Sequence, residues 1–100
     1  MTVKHVAWLR FKEGIAQDRI EAHLSACRRL PDRVPALLAL ECGSNQSDRA
    51  GGFTHGIIAT LSDVESMPAY LDHPEHLKVA TPLKEDLADI RVMDIQVDDR

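Results

Sequence analysis

The chain has 100 residues, with 12 Lys+Arg against 16 Asp+Glu and a formal net charge of −4. That length holds one compact domain, and 44% apolar residues is ordinary for a folded globule. The balance is acidic and the densest basic stretch is Arg28-Arg29 with Arg33 nearby, which argues against nucleic acid or an anionic membrane as a partner. No apolar run approaches the ~20 residues of a membrane span. The N-terminus alternates charged and apolar residues from Lys4 onward, unlike a signal peptide. The two cysteines, Cys27 and Cys42, make no disulfide framework and match no zinc spacing, so a reducing, cytoplasmic setting is expected.

Along the chain, Thr2 to Lys12 alternates with period two. Val3, His5, Ala7, Leu9 and Phe11 share one face, Val6, Trp8 and Arg10 the other, and the segment reads as a strand. From Ala16 the period changes. Ile20, Leu24, Cys27 and Leu30 form a helical stripe joined by His23, and Pro31 and Val34-Pro35 close the helix. Ala36 to Cys42, held between Pro35 and Gly43, reads as a short strand, and Gly43 to Gly52 as a polar connection. Gly52 to Leu61 is the clearest strand, with Phe53, His55, Ile57, Ala59 and Leu61 on one face. Ser62 and Glu65 have the spacing of a capping box for a helix running to about Leu71. His73-Pro74 starts another helix, with a break expected before Pro82, and Ile90 to Val97 reads as the last strand. The order β-α-β-β-α-β predicts an α+β, ferredoxin-like protomer, an antiparallel sheet with helices on one face. Its outer face, carrying Val6, Trp8, Ile58, Met93 and Ile95, is too apolar for water, and a second copy of the sheet is the obvious cover.

The five histidines are the chemistry-bearing residues. His5 and His55 lie on neighbouring strands and face the helices, His23 lies on the first helix, and Tyr70, His73 and His76 cluster at a helix junction. Several of them can converge on one cleft. A lone histidine on an apolar face is more often a hydrogen-bonded core residue, whereas two on adjacent strands facing one way point toward a polar pocket. His23 at a helix edge is easily solvated, His73 before a proline suits a helix cap, and Cys27 suits a small buried residue. His73-x-x-His76 has metal-ligand types, but Pro74 intervenes and no HExxH pattern exists, so no zinc site is expected and at most a weak Mg²⁺ or adventitious site; no metal ligand and no cofactor is assigned. Neither a nucleophile motif nor a phosphate loop is present.

Val3-Lys4-His5-Val6, Phe53-Thr54-His55-Gly56, Tyr70-Leu71-Asp72-His73-Pro74-Glu75-His76 and Val92-Met93-Asp94 together resemble the stress-responsive dimeric α/β-barrel (Dabb) family over nearly the whole chain. The resemblance implies a single domain over residues 1–100 whose sheet pairs across a homodimer. A plant branch of that family cyclises linear polyketides by aldol chemistry. By that resemblance His76 is the catalytic acid/base, Tyr70 its catalytic support, and His5 and His55 bind substrate. At His23 and Cys27 the chain departs from that branch, which places tunnel-lining aromatics there. The function implied is a homodimer that binds a small carbonyl compound and acts on it by cofactor-free acid/base catalysis, with a cyclase, lyase or isomerase outcome. Histidine suits proton abstraction beside a carbonyl near neutral pH. A helix-start position is expected to keep His76 neutral through the local dipole. Two alternatives stand beside this reading: a non-catalytic, stress-responsive ligand-binding dimer, and a cofactor-free monooxygenase of the wider superfamily.

Overall fold

The computed structural model describes residues 1–98. Its elements are β1 (Thr2–Phe11), α1 (Gln17–Arg28), β2 (Leu37–Ser44), β3 (His55–Leu61), α2 (Met67–Leu71), α3 (Pro74–Asp86) and β4 (Leu87–Val97). Short 3-10 turns at Leu30–Asp32 and Val64–Ser66 precede β2 and α2. The sheet order is β2-β3-β1-β4 with every neighbouring pair antiparallel. The ferredoxin-like α+β architecture expected from the pattern is present, with β1 and β3 side by side at the centre.

Strand alternation decides what packs. Val3, Ala7 and Leu9 of β1 and Ile57, Ala59 and Leu61 of β3 are buried. Ile20, Leu24, Cys27 and Leu30, the stripe that the helical period predicts, are buried as well. One core cluster gathers Tyr70 and Met67 against Val3, Ala59 and Leu61. The other gathers Cys27, Leu83 and Leu87 against Ala7, Leu9 and Ile57. On the opposite face Trp8, Ile58, Met93 and Ile95 are exposed. The register puts Val6 between Ile58 and Met93 in one cross-strand row of that face.

Several boundaries differ from the periodic reading, among them that of β2, which runs to Ser44 past the expected Cys42. The cap after β3 is Asp63, whose carboxylate accepts from the Ser66 amide at 2.9 Å, one residue beyond the expected Ser62. A carboxylate competes well for a first-turn amide. Pro82 does not break its helix, and α3 runs through it. The Pro82 side is exposed while Ala80 and Leu83 pack inward, and this burial outweighs the lost hydrogen bond. Strand β4 begins at Leu87 rather than Ile90. Strand β3 begins at His55 rather than Gly52, because Gly51 and Gly52 adopt φ of +60° and +95° in a turn that favours glycine.

The end of α3 is tied to α1 by a residue that periodicity does not mark. Asp86, at 4% exposure, accepts from Arg19 Nε at 2.7 Å, from Arg19 Nη2 at 2.9 Å and from His23 Nε2 at 2.7 Å. His23 is therefore held by a carboxylate and not merely solvated at the helix edge. Its ring also stacks on Phe11, with centroids 6.2 Å apart. The His23 hydrogen bond first, and Arg19 next, hold the Asp86 carboxyl below its ordinary range. A carboxyl depressed in the folded state stabilises the fold above its unfolded value of about 3.9 and loses that contribution as pH falls through the folded value. Asp86→Asn is accordingly less thermostable than wild type near neutrality. In melts recorded as a function of pH, the difference shrinks below about pH 4.

Candidate functional site

Three of the side chains singled out by sequence meet at one place. His5 stands on the helix-facing side of β1, directly across from Asp94 of β4. Its Nδ1 lies 2.6 Å from Asp94 Oδ1. Tyr70, from α2, is 3% exposed and presents its ring edge-on to His5, with centroids 6.0 Å apart. The centroid of the Tyr70 ring also lies 4.5 Å from that of His76, in the first turn of α3. The short link between α2 and α3, capped by His73, sets the angle that brings these rings together.

The hydrogen bonds define which nitrogens are available. A backbone carbonyl only accepts, so the 2.9 Å contact from His76 Nδ1 to the Leu71 oxygen puts a hydrogen on Nδ1. The Nε2 of a neutral His76 then carries the lone pair. A carboxylate likewise accepts from His5 Nδ1, which leaves His5 Nε2 uncommitted. Burial is the main cause that lowers the His76 pKa, with the nearby Lys84 and His5 adding to it and the Leu71 bond opposing it. His76 is thus neutral near pH 7, and desolvation, rather than the helix dipole expected from its position, is the leading reason. Burial pushes the Tyr70 hydroxyl up, so it remains a hydrogen-bond donor at any physiological pH. A base at Nε2 beside a fixed phenol can move a proton and support a developing oxyanion.

The edge of the sheet beside this cluster is open. Val92, opposite Ala7 on the same face, is 50% exposed, and the Asp94 side chain is 46% exposed. Hollows of about 690 and 450 Å³ lie elsewhere, against Trp8, Phe53 and Val6 on the outer face of the sheet.

His55 is placed apart from the other three. It pairs with Leu9, whereas His5 pairs with Ala59, so the two stand four residues apart along β3, about 13 Å on strand spacing. His55 stands perpendicular to Phe11 with ring centroids 5.3 Å apart, and its Nδ1 lies 2.8 Å from Thr54 Oγ1; burial lowers its pKa. His73 is the N-cap of α3, with Nδ1 accepting from the Glu75 amide at 3.0 Å. His73→Ala should therefore cost about 1 kcal/mol of stability in chemical denaturation, the size of an N-cap loss. Cys27 is buried and its thiol is pushed up to about 12, chiefly by desolvation, which leaves it an inert core thiol. Among the described residues, no three His, Cys, Asp or Glu side chains gather as a metal-binding group. Asp94 and Asp86 are the side chains that site reasoning from sequence missed. Only the face assignment of β4, opposite His5, could have pointed to Asp94.

A four-stranded antiparallel sheet with helices on one face defines a ferredoxin-like α+β protein. The family's sequence model, Stress responsive A/B Barrel Domain, matches residues 3–97, and the chain belongs to that family. It is similar to olivetolic acid cyclase of Cannabis sativa, 30% identical over 79 residues that cover 77% of this chain and 78% of the cyclase. Hydroxynitrile lyase from Passiflora edulis superposes with a TM-score of 0.89 at 22% identity, covering 99% of this chain and 95% of the lyase. A dimeric ferredoxin-like protein of unknown function from Thermobifida fusca superposes with a TM-score of 0.85 at 26% identity, covering 97% and 92% of the two chains.

Proposed function

We propose that this chain forms a homodimeric, cofactor-free acid/base enzyme acting on a small carbonyl compound at the His5–Tyr70–His76 cluster. The observation that carries the reading is the neutral His76, its Nδ1 occupied by the Leu71 carbonyl and its ring against Tyr70. His76 Nε2 takes a proton from the carbon beside the carbonyl. The electron pair moves onto the carbonyl oxygen, and the Tyr70 hydroxyl donates to that developing oxyanion. The enolate then either attacks a second carbonyl, whose oxygen takes up the electron pair and the proton from His76, or recovers that proton at carbon. His5, steadied by Asp94, orients the carbonyl, and His55 reaches only the far end of an extended ligand. The likeness to olivetolic acid cyclase supports this class of chemistry, and the exposed Trp8, Ile58, Met93 and Ile95 support a second copy on the outer face. Two free cysteines and the absence, among the described residues, of a helix long and apolar enough to cross a membrane are consistent with a cytoplasmic setting.

The test is α-hydrogen exchange. A panel of 1,3-diketones beginning with acetylacetone is incubated with the protein in D2O, and deuterium uptake is followed by NMR. Because burial depresses the His76 pKa, the base form persists below the ordinary histidine value of about 6.5. The acid limb of the rate is therefore expected below that pH. One observation favours the second reading, a non-catalytic ligand-binding dimer: the Tyr70 ring, at 3% exposure, packs against both imidazoles. Diketone binding without exchange above buffer would establish that reading in place of the enzyme. Oxygen uptake with a phenolic substrate would instead establish the monooxygenase.

A further inference from the structure

The outer face of the sheet carries charge as well as apolar surface, and the charge is arranged in a particular way. Arg10 and Arg91 at one end are both paired with Asp89, at 4.0 and 2.8 Å. Lys4 and Glu41, farther along, have no ion-pair partner among the described residues. Lys4 Nζ donates to Thr60 Oγ1 at 2.8 Å, which uses one of its three hydrogens. Glu41 is across from Ile58, which is across from Val6. Lys4 is across from Thr60 and Ile95. Two strands and two residues therefore separate Lys4 from Glu41 in one chain, about 12 Å between their Cα atoms on sheet spacing. Glu41 also lines the hollow of about 690 Å³ with Trp8 and Ile58. The neighbouring positions Gly43 and Gly56, paired across the strands, contribute no side chain to fill it.

We infer that the occupant of this hollow is the Lys4 side chain of a second copy of the chain, which reaches Glu41 reciprocally across a two-fold axis. The inference rests on the homodimer proposed above. Covering the apolar face with any surface would strip water from both charges, and an unpaired buried charge is costly. A two-fold axis passing between Lys4 and Glu41 removes that cost twice, because each residue meets the partner's opposite charge. An uncharged apolar partner would leave both charges stranded, so charge complementarity selects a second copy. The pairing makes the interface specific for its own kind.

Charge reversal tests this by sedimentation equilibrium on wild type, Lys4→Glu, Glu41→Lys and the double variant, with circular dichroism confirming the fold of each. Each single reversal sets like charges against each other and weakens dimerisation at least about tenfold. The double reversal restores it to within about threefold of wild type, as reciprocal coupling requires. An equimolar mixture of the two single variants dimerises better than either alone, because each supplies the charge that the other lacks. Should a reversal unfold the chain, Lys4→Gln and Glu41→Gln replace it, and the double neutral variant is then no weaker than either single one. Single variants that dimerise like wild type, or a mixture that gains nothing, overturn the pairing while leaving the dimer in place. A monomeric wild type overturns both the pairing and the dimer.

Discussion

Replacing His76 by asparagine lowers diketone α-hydrogen exchange by about 10²–10⁴-fold, the usual contribution of a positioned general base. Asparagine is the informative substitution. Its side-chain amide can still donate to the Leu71 carbonyl, as His76 Nδ1 does at 2.9 Å, but it offers no basic nitrogen. The fold and the helix start are kept, since α3 is capped by His73 and not by His76. Loss of rate with an unchanged melting curve assigns the effect to the base. A His76→Asn variant as fast as wild type removes His76 from the chemistry and leaves the cluster as a polar network.

Tyr70 separates packing from chemistry. It belongs to the core cluster with Val3, Leu61 and Met67 and is almost fully buried. Tyr70→Ala would cost about 3–5 kcal/mol, the range for emptying a buried aromatic site. In a domain of this length a loss of that size lowers the melting temperature by well over about 10 °C. Tyr70→Phe keeps the ring against His5 and His76 and removes only the hydroxyl. The expected result is near-native stability with exchange reduced about 10²–10³-fold, as for the loss of one oxyanion donor. Calorimetry of both variants beside the exchange assay distinguishes the two roles. A phenylalanine variant with undiminished exchange would remove the hydroxyl from the proposed mechanism.

The architecture was largely legible because two short-range signals carry it. Period two put Val3, Ala7 and Leu9 on one side of β1, and the helical period put Ile20, Leu24 and Cys27 on one side of α1, and these are the buried residues. Pro82 misled because local backbone cost is visible in sequence, whereas the packing of Ala80 and Leu83 that outweighs it is tertiary. The site was legible in part. The junction of Tyr70, His73 and His76 is local in sequence, and His5 was placed on the correct face by alternation. What sequence could not supply was position along the strands. His55 shares a face with His5 but stands four residues away in register, and it neighbours Phe11 rather than Tyr70. Asp94 and Asp86 were hidden for a related reason. Each acts on a histidine more than sixty residues distant, through an alignment that no spacing records.

The proposed mechanism requires that His5 and His76 border one site in which His76 holds a free, neutral Nε2. Long-range proton–nitrogen NMR of the imidazoles reads it directly, as a function of pH and then with added acetylacetone. The proposed mechanism predicts that His76 is the Nδ1–H tautomer, titrates below the ordinary histidine value of about 6.5, and shifts together with His5 when the diketone is added, while His73 stays still. A His76 that titrates at or above that value, or that ignores a diketone which moves His55 or His73, would contradict it.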